Sequence, residues 1–366
     1  MLITRIEAIP FEIPLLRPTK WAAGYMDKVD WVLLKITAED GTYGVAEAIP
    51  RPMIYGETQE SVYFALTKYL APLLLGEDSF ALEHIHRKMA ALAHNPGARN
   101  AVDVALHDLN GKLLGLPVHR LLGGPAREAV DLVHMIGQQD EDAMLAELVA
   151  KVAEGFFAFK VKGGTHPDSD VRLLKRMRDH VPGHVRFYID ANMQYDKEVA
   201  LRVLKALDGV LDCIEEPMLA SDDQGRLALA RSVSVPLLGD ESVFTLADVR
   251  RQLELGALTR IGLKLPRSGF TLSRKMIHLA EAYNVKLQIL TQSETTVGTA
   301  ACLQLAAAFG QIALPNEMLF YLDVADSLCR TAPCVRDGRM QVPALPGNGT
   351  EIDWDKVERY RVAIRP

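Results

Sequence analysis

VRFYIDANMQYDKEVALRVLKALDGVLDCIEEP, residues Val185–Pro217, holds a complete strand–helix–strand unit. An apolar run ends on Asp190, a polar turn follows, apolar residues recur at helical spacing over Lys197–Leu207, and a second apolar run ends on Glu215. Both runs are apolar almost throughout, as strands covered on both faces require. The unit repeats outward in both directions. Lys162, Asp190, Glu215, Asp240 and Lys264 each close such a run, with gaps of 28, 25, 25 and 24 residues. That interval is what a strand, a helix and two loops consume.

Extended along the chain, the rhythm predicts strands at Val130–Met135, Ala158–Lys162, Val185–Asp190, Leu211–Glu215, Pro236–Asp240, Thr259–Lys264, Val285–Leu290 and Ile312–Glu317. Helices are predicted between them at Asp168–Asp179, Lys197–Leu207, Leu246–Leu255, Thr271–Ala282 and Val297–Phe309. Eight such strands close a parallel (β/α)8 barrel of TIM type, whose strand ends gather at one mouth. An open doubly wound sheet offers a single crevice and leaves the polar groups at so many strand ends unexplained.

Upstream the pattern is different. Strand alternation over Ile3–Pro14, Trp31–Thr37 and Thr42–Ala48, with a turn at Glu39-Asp40-Gly41, predicts an antiparallel meander. Helical periodicity follows at Glu60–Leu75, Phe80–Ala93 and Arg99–Leu114, the last stopped by Gly115-Leu116-Pro117. Residues 1–125 are therefore expected to form an α+β capping domain, 126–326 the barrel, and 327–366 a tail that folds back on the first domain, with a strand pair about Asp337-Gly338.

Composition narrows the function. The chain has 366 residues, 49% of them hydrophobic, a net charge of −6 and a pI near 6.0, which gives no drive toward nucleic acid or an acidic membrane surface. No apolar stretch reaches about 18 residues and no basic segment leads into an apolar one at the start. Cys213, Cys302, Cys329 and Cys334 form no CxxC pair and are expected to be reduced, buried thiols. A cytoplasmic enzyme acting on a small molecule is the expectation. HExxH, GxGxxG and Walker patterns are absent, so zinc-hydrolase, dinucleotide and P-loop chemistry have no local support.

The strand ends supply the chemistry. Asp190, Glu215 and Asp240, hard carboxylates from three consecutive strands, suit octahedral Mg²⁺ or Mn²⁺. Glu216 points to the other side of its strand and is expected to support the site from behind. Lys160 and Lys162 share one strand face and should point into the mouth, each lowering the other's pKa, with Lys162 as the proton-transfer group. Lys264 comes from the opposite side, so that the two faces of one carbon are within reach. His107 and His134 are read as packing residues.

Taken together, Ala101–Leu109 leading to Gly123-Gly124, Lys160-Val161-Lys162, Asp190-Ala191-Asn192, Ile214-Glu215-Glu216-Pro217, Gly239-Asp240-Glu241-Ser242 and Lys264 resemble the enolase superfamily, in its muconate lactonizing branch. The resemblance spans nearly the whole chain. It implies a modified barrel, (β/α)7β, with a capping domain built from both termini, and a divalent metal on Asp190, Glu215 and Asp240. It also implies removal or return of the proton next to a carboxylate through an enediolate, with Lys264 stabilising charge, and a dimer or octamer.

Specificity in that family comes from two loops of the capping domain, here Arg17–Gly24 and Pro50–Thr58, both similar to those of muconate cycloisomerases. Lys20 and Arg51 are expected to bind the distal carboxylate of a small dicarboxylate, with Tyr55 closing the cavity. Dipeptide epimerases of the branch carry two acids spaced by one residue after the last strand; this chain has Glu317 but then Leu319. Glu317 is expected at the mouth, among the residues that bind substrate. The resemblance thus implies conversion of cis,cis-muconate to muconolactone, with epimerisation of a dipeptide or N-acyl amino acid, or succinylbenzoate synthesis, as alternatives. Thr291-Gln292-Ser293-Glu294 is expected to line the cup, with no roles assigned.

Overall fold

The structure, a computed structural model, describes residues 1–21 and 24–364, and all their side chains except those of Lys20 and Trp21. Three antiparallel strands, β1 (Ile3–Trp21), β2 (Gly24–Ala38) and β3 (Tyr43–Ala48), open the chain in the order β1-β2-β3. The segment expected as a loop from Arg17 to Gly24 is instead largely strand, paired as far as Trp21↔Gly24. Pro10, Pro14 and Pro18 are tolerated because β1 is an edge strand, and a register shift between Pro14 and Thr19 absorbs the misfit. Ala22 and Ala23 of that segment lie outside the described residues.

The meander is covered on both faces. Phe11, Ile13, Trp31, Leu33 and Val45 pack with Leu328, Ile352 and Val357 of the tail, while Val32, Leu34 and Ile36 join the large core shared with the helices. The helix Pro96–Leu114 crosses that second face and ends at Gly115, whose φ of +67° suits a residue without Cβ. The single helix expected over Glu60–Leu75 is broken. Gln59–Phe64 is α-helical, Ala65–Leu70 is a π-helical stretch, and Ala71–Leu74 resumes. Pro72 explains the break, since it lacks a donor for the ladder and its ring crowds the preceding turn.

The second half is a curled, all-parallel sheet of seven strands in sequence order: β5 (His134–Ile136), β6 (Ala158–Lys162), β7 (Arg186–Asp190), β8 (Cys213–Glu215), β9 (Leu237–Gly239), β10 (Arg260–Leu263) and β11 (Lys286–Ile289). Helices follow the strands. Of the first and last strands expected for the barrel, Val130–Met135 is divided. Its first half, β4 (Ala129–Asp131), pairs antiparallel with the tail hairpin β12 (Val335–Arg336) and β13 (Arg339–Gln341), with Met340 opposite Val130.

Ile312–Glu317 forms no regular ladder, yet it joins the two edges. The Asn316 amide donates to Asp131 O at 2.9 Å, the Val133 amide to Asn316 O at 2.8 Å, and the Glu317 amide to Ile289 O at 2.9 Å. Asn316 Oδ1 also accepts from the Ile289 amide at 2.7 Å. One asparagine thereby does the work of several ladder bonds.

Alternation along the strands places the site. In β6, Phe159 and Val161 join the core shared with the helices, so Lys160 and Lys162 face inward. Beneath them Val133, Ala158, Tyr188, Cys213, Leu238 and Leu290 form a separate inner cluster that seals the floor. Cys213, Cys302 and Cys329 are buried free thiols; Cys334 is exposed, contrary to expectation, because it lies in the tail ahead of β12.

Candidate active site

Five strands deliver charge to one place. Asp190 and Glu215 are register partners at the ends of β7 and β8, and Lys162 is the partner of Asp190 on β6. Lys162 Nζ is 2.6 Å from Asp190 Oδ2 and donates to Asn192 Oδ1 at 3.1 Å. On the other side Lys264 Nζ is 2.6 Å from Asp240 Oδ2. Burial works against the Lys264 ammonium, but Asp240 and the Tyr55 phenol outweigh it and raise its pKa. Burial likewise opposes ionisation of Asp190 and Asp240. The ammoniums of Lys160 and Lys162 hold the first well below the carboxylate range, and Lys264 and Arg267 depress the second.

Lys160 departs from the expectation. Its ammonium, 3% exposed, lies 3.0 Å from Asp190, 2.9 Å from Glu215 and 3.1 Å from Glu317. Burial alone would lower its pKa, yet these carboxylates raise it far above the ordinary lysine value. The mutual lowering expected from Lys162 is overridden, because three anions in contact outweigh one neighbouring cation. Lys160 is a fixed positive charge. Glu317 in turn is saturated: both oxygens accept from Lys160, one also from the Tyr188 hydroxyl, and Oε2 from the Thr291 amide at 3.3 Å.

The backbone turns sharply where the strands end. Asn192, Met193 and Glu216 have φ of +43°, +63° and +31°. Glu216 thereby sends its carboxylate behind the site, to Arg226 at 2.8 Å, the Asp240 amide at 2.8 Å, and the Ser242 amide and hydroxyl at 3.1 and 2.9 Å. The supporting role expected of Glu216 takes this form: it fixes the backbone that carries Asp240.

Arg267 went unread in the sequence. It follows Lys264 by one helical turn and donates to Asp240 Oδ1 at 2.9 Å and Asp240 O at 3.1 Å. Gly269, with φ +60° and ψ −176°, breaks the helix Leu265–Ala282 just after it. Asp103, reaching over from the N-terminal half, then receives the Phe270 amide at 2.6 Å, the Thr271 amide at 3.1 Å and the Thr271 hydroxyl at 2.5 Å. An acid at a fresh helix start is favourable on both hydrogen-bonding and dipole grounds.

Among the expected substrate contacts, Arg51 donates to Gln292 O at 2.5 Å and stacks 4.9 Å over Trp31. Tyr55 donates to Gln292 Oε1 at 2.7 Å and packs edge-on against Phe244. The Lys20 side chain lies outside the described residues. Lys160, Lys162, Asp190, Asp240, Lys264, Arg51 and Gln292 line one cavity of about 90 Å³, together with Glu241, whose pKa burial and Asp240 push up to about 8. Outward it meets a bay of about 960 Å³ walled by Trp31, Met53, Ile54, Met193 and Phe244.

Among the described residues no three acidic, His or Cys side chains are already gathered about one cation position; the lysine ammoniums occupy the inward oxygens. The donor set nonetheless fits a hard divalent cation. Glu215 Oε2 is buried without a hydrogen-bond partner, and burial and the Asp190 charge raise the Glu215 pKa well above normal. A divalent ion at that oxygen would relieve both.

The chain matches two family models: "Mandelate racemase / muconate lactonizing enzyme, N-terminal domain" over residues 5–123 and "Enolase C-terminal domain-like" over 143–356. It is 30% identical to muconate cycloisomerase 1 of Rhodococcus opacus, covering 98% of each chain. Identity to the N-succinyl-L-Arg/Lys racemase of Bacillus cereus is 27%, over 99% of this chain and 98% of that protein. The solved muconate lactonizing enzyme of Mycobacterium smegmatis, complexed with muconolactone, superposes with a TM-score of 0.95 at 34% identity, covering 99% of this chain and 100% of that one. With this curled parallel sheet, and with models matched over both halves, the chain belongs to the mandelate racemase / muconate lactonizing enzyme family and is an isomerase of the enolase superfamily.

Proposed function

We propose that the protein catalyses the cycloisomerisation of cis,cis-muconate to muconolactone. The observation that carries this is the opposed pair Lys162 and Lys264, each 2.6 Å from an aspartate oxygen, on a cavity of only about 90 Å³ that also presents Arg51. In this reading residues 1–125 cap a closed (β/α)7β barrel of residues 126–326, and 327–366 pack back on the cap.

Asp190, Glu215 and Asp240 would hold Mg²⁺ or Mn²⁺, which when bound supplies electrostatic stabilisation to a substrate carboxylate as it becomes an enediolate. The rest falls to side chains. Arg51, with Lys20, holds the distal carboxylate against the conjugated diene, and Tyr55 closes the cavity over it. One oxygen of that carboxylate forms the new C–O bond while the diene electrons move toward the other carboxylate. Lys162 gives its proton to the carbon next to that carboxylate. The Lys264 ammonium stabilises the developing negative charge from the opposite face. Lys160 stays charged throughout, balancing the acids around it, and Glu317 holds Lys160 in place rather than binding substrate.

Loss of the diene absorbance when muconate meets enzyme and Mn²⁺, suppressed by chelator, is the test. No loss with metal bound would reject the reading. A second reading, racemisation of an N-acyl amino acid, draws support from the apolar bay of about 960 Å³ next to the cavity, which has room for an acyl arm; solvent deuterium at an α-carbon of such substrates would reveal it. Three buried free thiols accord with a cytoplasmic enzyme. Among the described residues no helix is long and apolar enough to cross a membrane. A dimer or octamer is the expected assembly, to be counted by light scattering.

A further inference from the structure

We propose that Gln292 is a specificity-determining residue, whose side-chain amide donates to a second oxygen acceptor of the substrate, remote from the carboxylate that enolises. The proposal rests on the reading that this cavity receives a carboxylate.

Gln292 is 2% exposed and lines the cavity together with Arg51 and Lys264. Its two amide atoms have unequal surroundings. Oε1 accepts from the Tyr55 hydroxyl at 2.7 Å, whereas Nε2 is buried with no hydrogen-bond partner among the described residues. A buried amide donor left unmade is costly, and a ligand oxygen would complete it.

The orientation of the amide follows from its neighbours. The Tyr55 phenol is buried among Arg267, Lys264 and Arg51, with the Asp240 carboxylate also near. Its proton goes to Gln292 Oε1, which leaves Nε2 as the free donor. The loop is also held. The Gln292 amide donates to Glu294 Oε1 at 2.8 Å and the Ser293 amide to Thr291 Oγ1 at 2.9 Å, around a Ser293 φ of +72°. Arg51, donating to the Gln292 carbonyl, completes a cationic and amide pair at one end of the cavity.

Such a pair recognises an oxygen acceptor, either a distal carboxylate or the carbonyl of an acyl amide, and gives nothing to an alkyl group. Gln292 and Arg51 touch the end of the substrate remote from the carboxylate that enolises. Tyr55 acts through Gln292 and is a positioning residue.

The test is equilibrium binding to the Mn²⁺-loaded enzyme by calorimetry, with three acids that the enzyme cannot cyclise: adipate, N-acetylalanine and hexanoate. Wild type is expected to prefer adipate or N-acetylalanine to hexanoate, and whichever is preferred identifies the acceptor. Gln292→Met, close in length and apolar, should weaken that acid roughly 10-fold while moving hexanoate by less than about twofold. Tyr55→Phe, which frees the amide to rotate, should weaken it about threefold. Melting curves confirm that the variants fold. If neither acceptor-bearing acid is preferred by wild type, or if both variants keep the preference, the role of Gln292 is overturned. If none of the three acids binds, the carboxylate reading falls with it.

Discussion

Lys160 and Glu317 stand 3.1 Å apart at the floor of the cup, one from the second strand of the parallel sheet and the other from the segment that joins its two edges. Their ion pair is also a tether across the sheet. Replacing Lys160 by Met would leave Asp190, Glu215 and Glu317 without their shared counter-ion. Breaking one partner of a buried pair costs about 3–5 kcal/mol. A fall in melting temperature on the order of 10 °C is expected by calorimetry of the metal-free protein; an unchanged melt would show that the charge is dispensable.

Lys162→Ala and Lys264→Ala should each lower turnover of muconate by about 10²–10⁴. Circular dichroism and metal content should stay as in wild type, since Asp190 and Asp240 keep Lys160 and Arg267 as partners. A variant retaining more than a tenth of the activity would remove its lysine from proton transfer or charge stabilisation.

Glu47 gives a pH signature. Its oxygens accept from the Thr295 amide and hydroxyl, but burial dominates and its pKa is pushed up to about 8 from 4.5. The native state therefore keeps a proton that the unfolded chain has released between these values. Stability should decline as pH rises through that window. Glu47→Gln removes the titration, so its stability should gain on wild type from pH 5 to pH 8 by on the order of a few kcal/mol, read as a rising difference in melting temperature. A difference that does not vary with pH would contradict this.

Asp103→Ala should both destabilise the protein and slow it. The three donors it satisfies at Phe270 and Thr271 set where the helix resumes, and that helix start positions Arg267 against Asp240. A loss of about 3 kcal/mol and a fall in kcat larger than the change in KM are expected, with Asp103→Asn recovering part of each. Gly269→Ala tests the same joint, because an added Cβ would fall 2.6 Å from Asp103 Oδ2 in a φ +60° conformation. Wild-type kinetics in these variants would uncouple the joint from the site.

Mn²⁺ should raise the melting temperature of wild type, and chelator should abolish turnover. Glu215→Gln is expected to lose most of the thermal shift, since it removes an acid with a buried, partnerless oxygen. A full shift in Glu215→Gln would move the metal away from Glu215.

Much of this site was legible because a parallel strand must end somewhere, and polar residues at its end repeat at a fixed interval. The inward direction of Lys160 and Lys162 followed from two-residue alternation alone. What alternation does not carry is which counter-charges meet. Lys160 is surrounded by Asp190, Glu215 and Glu317 from three separate parts of the chain, and no local pattern shows such a cage. Arg267 was missed, and Gln292 was placed at the cup without a role, for a related reason: neither lies on a strand, where alternation gives the direction. The division of Val130–Met135 depends on Met340 and its neighbours in the tail, more than 200 residues away.

Arg51 and Gln292 are 241 residues apart in sequence and meet through one hydrogen bond. Their selectivity belongs to neither half of the chain. A chimera that joined the first 125 residues of a relative to the remainder of this protein would keep the proton-transfer lysines and yet present Gln292 to an unmatched neighbour. Relatives with different substrates should therefore exchange specificity only when both segments travel together, and single-segment swaps should give stable proteins with poor discrimination.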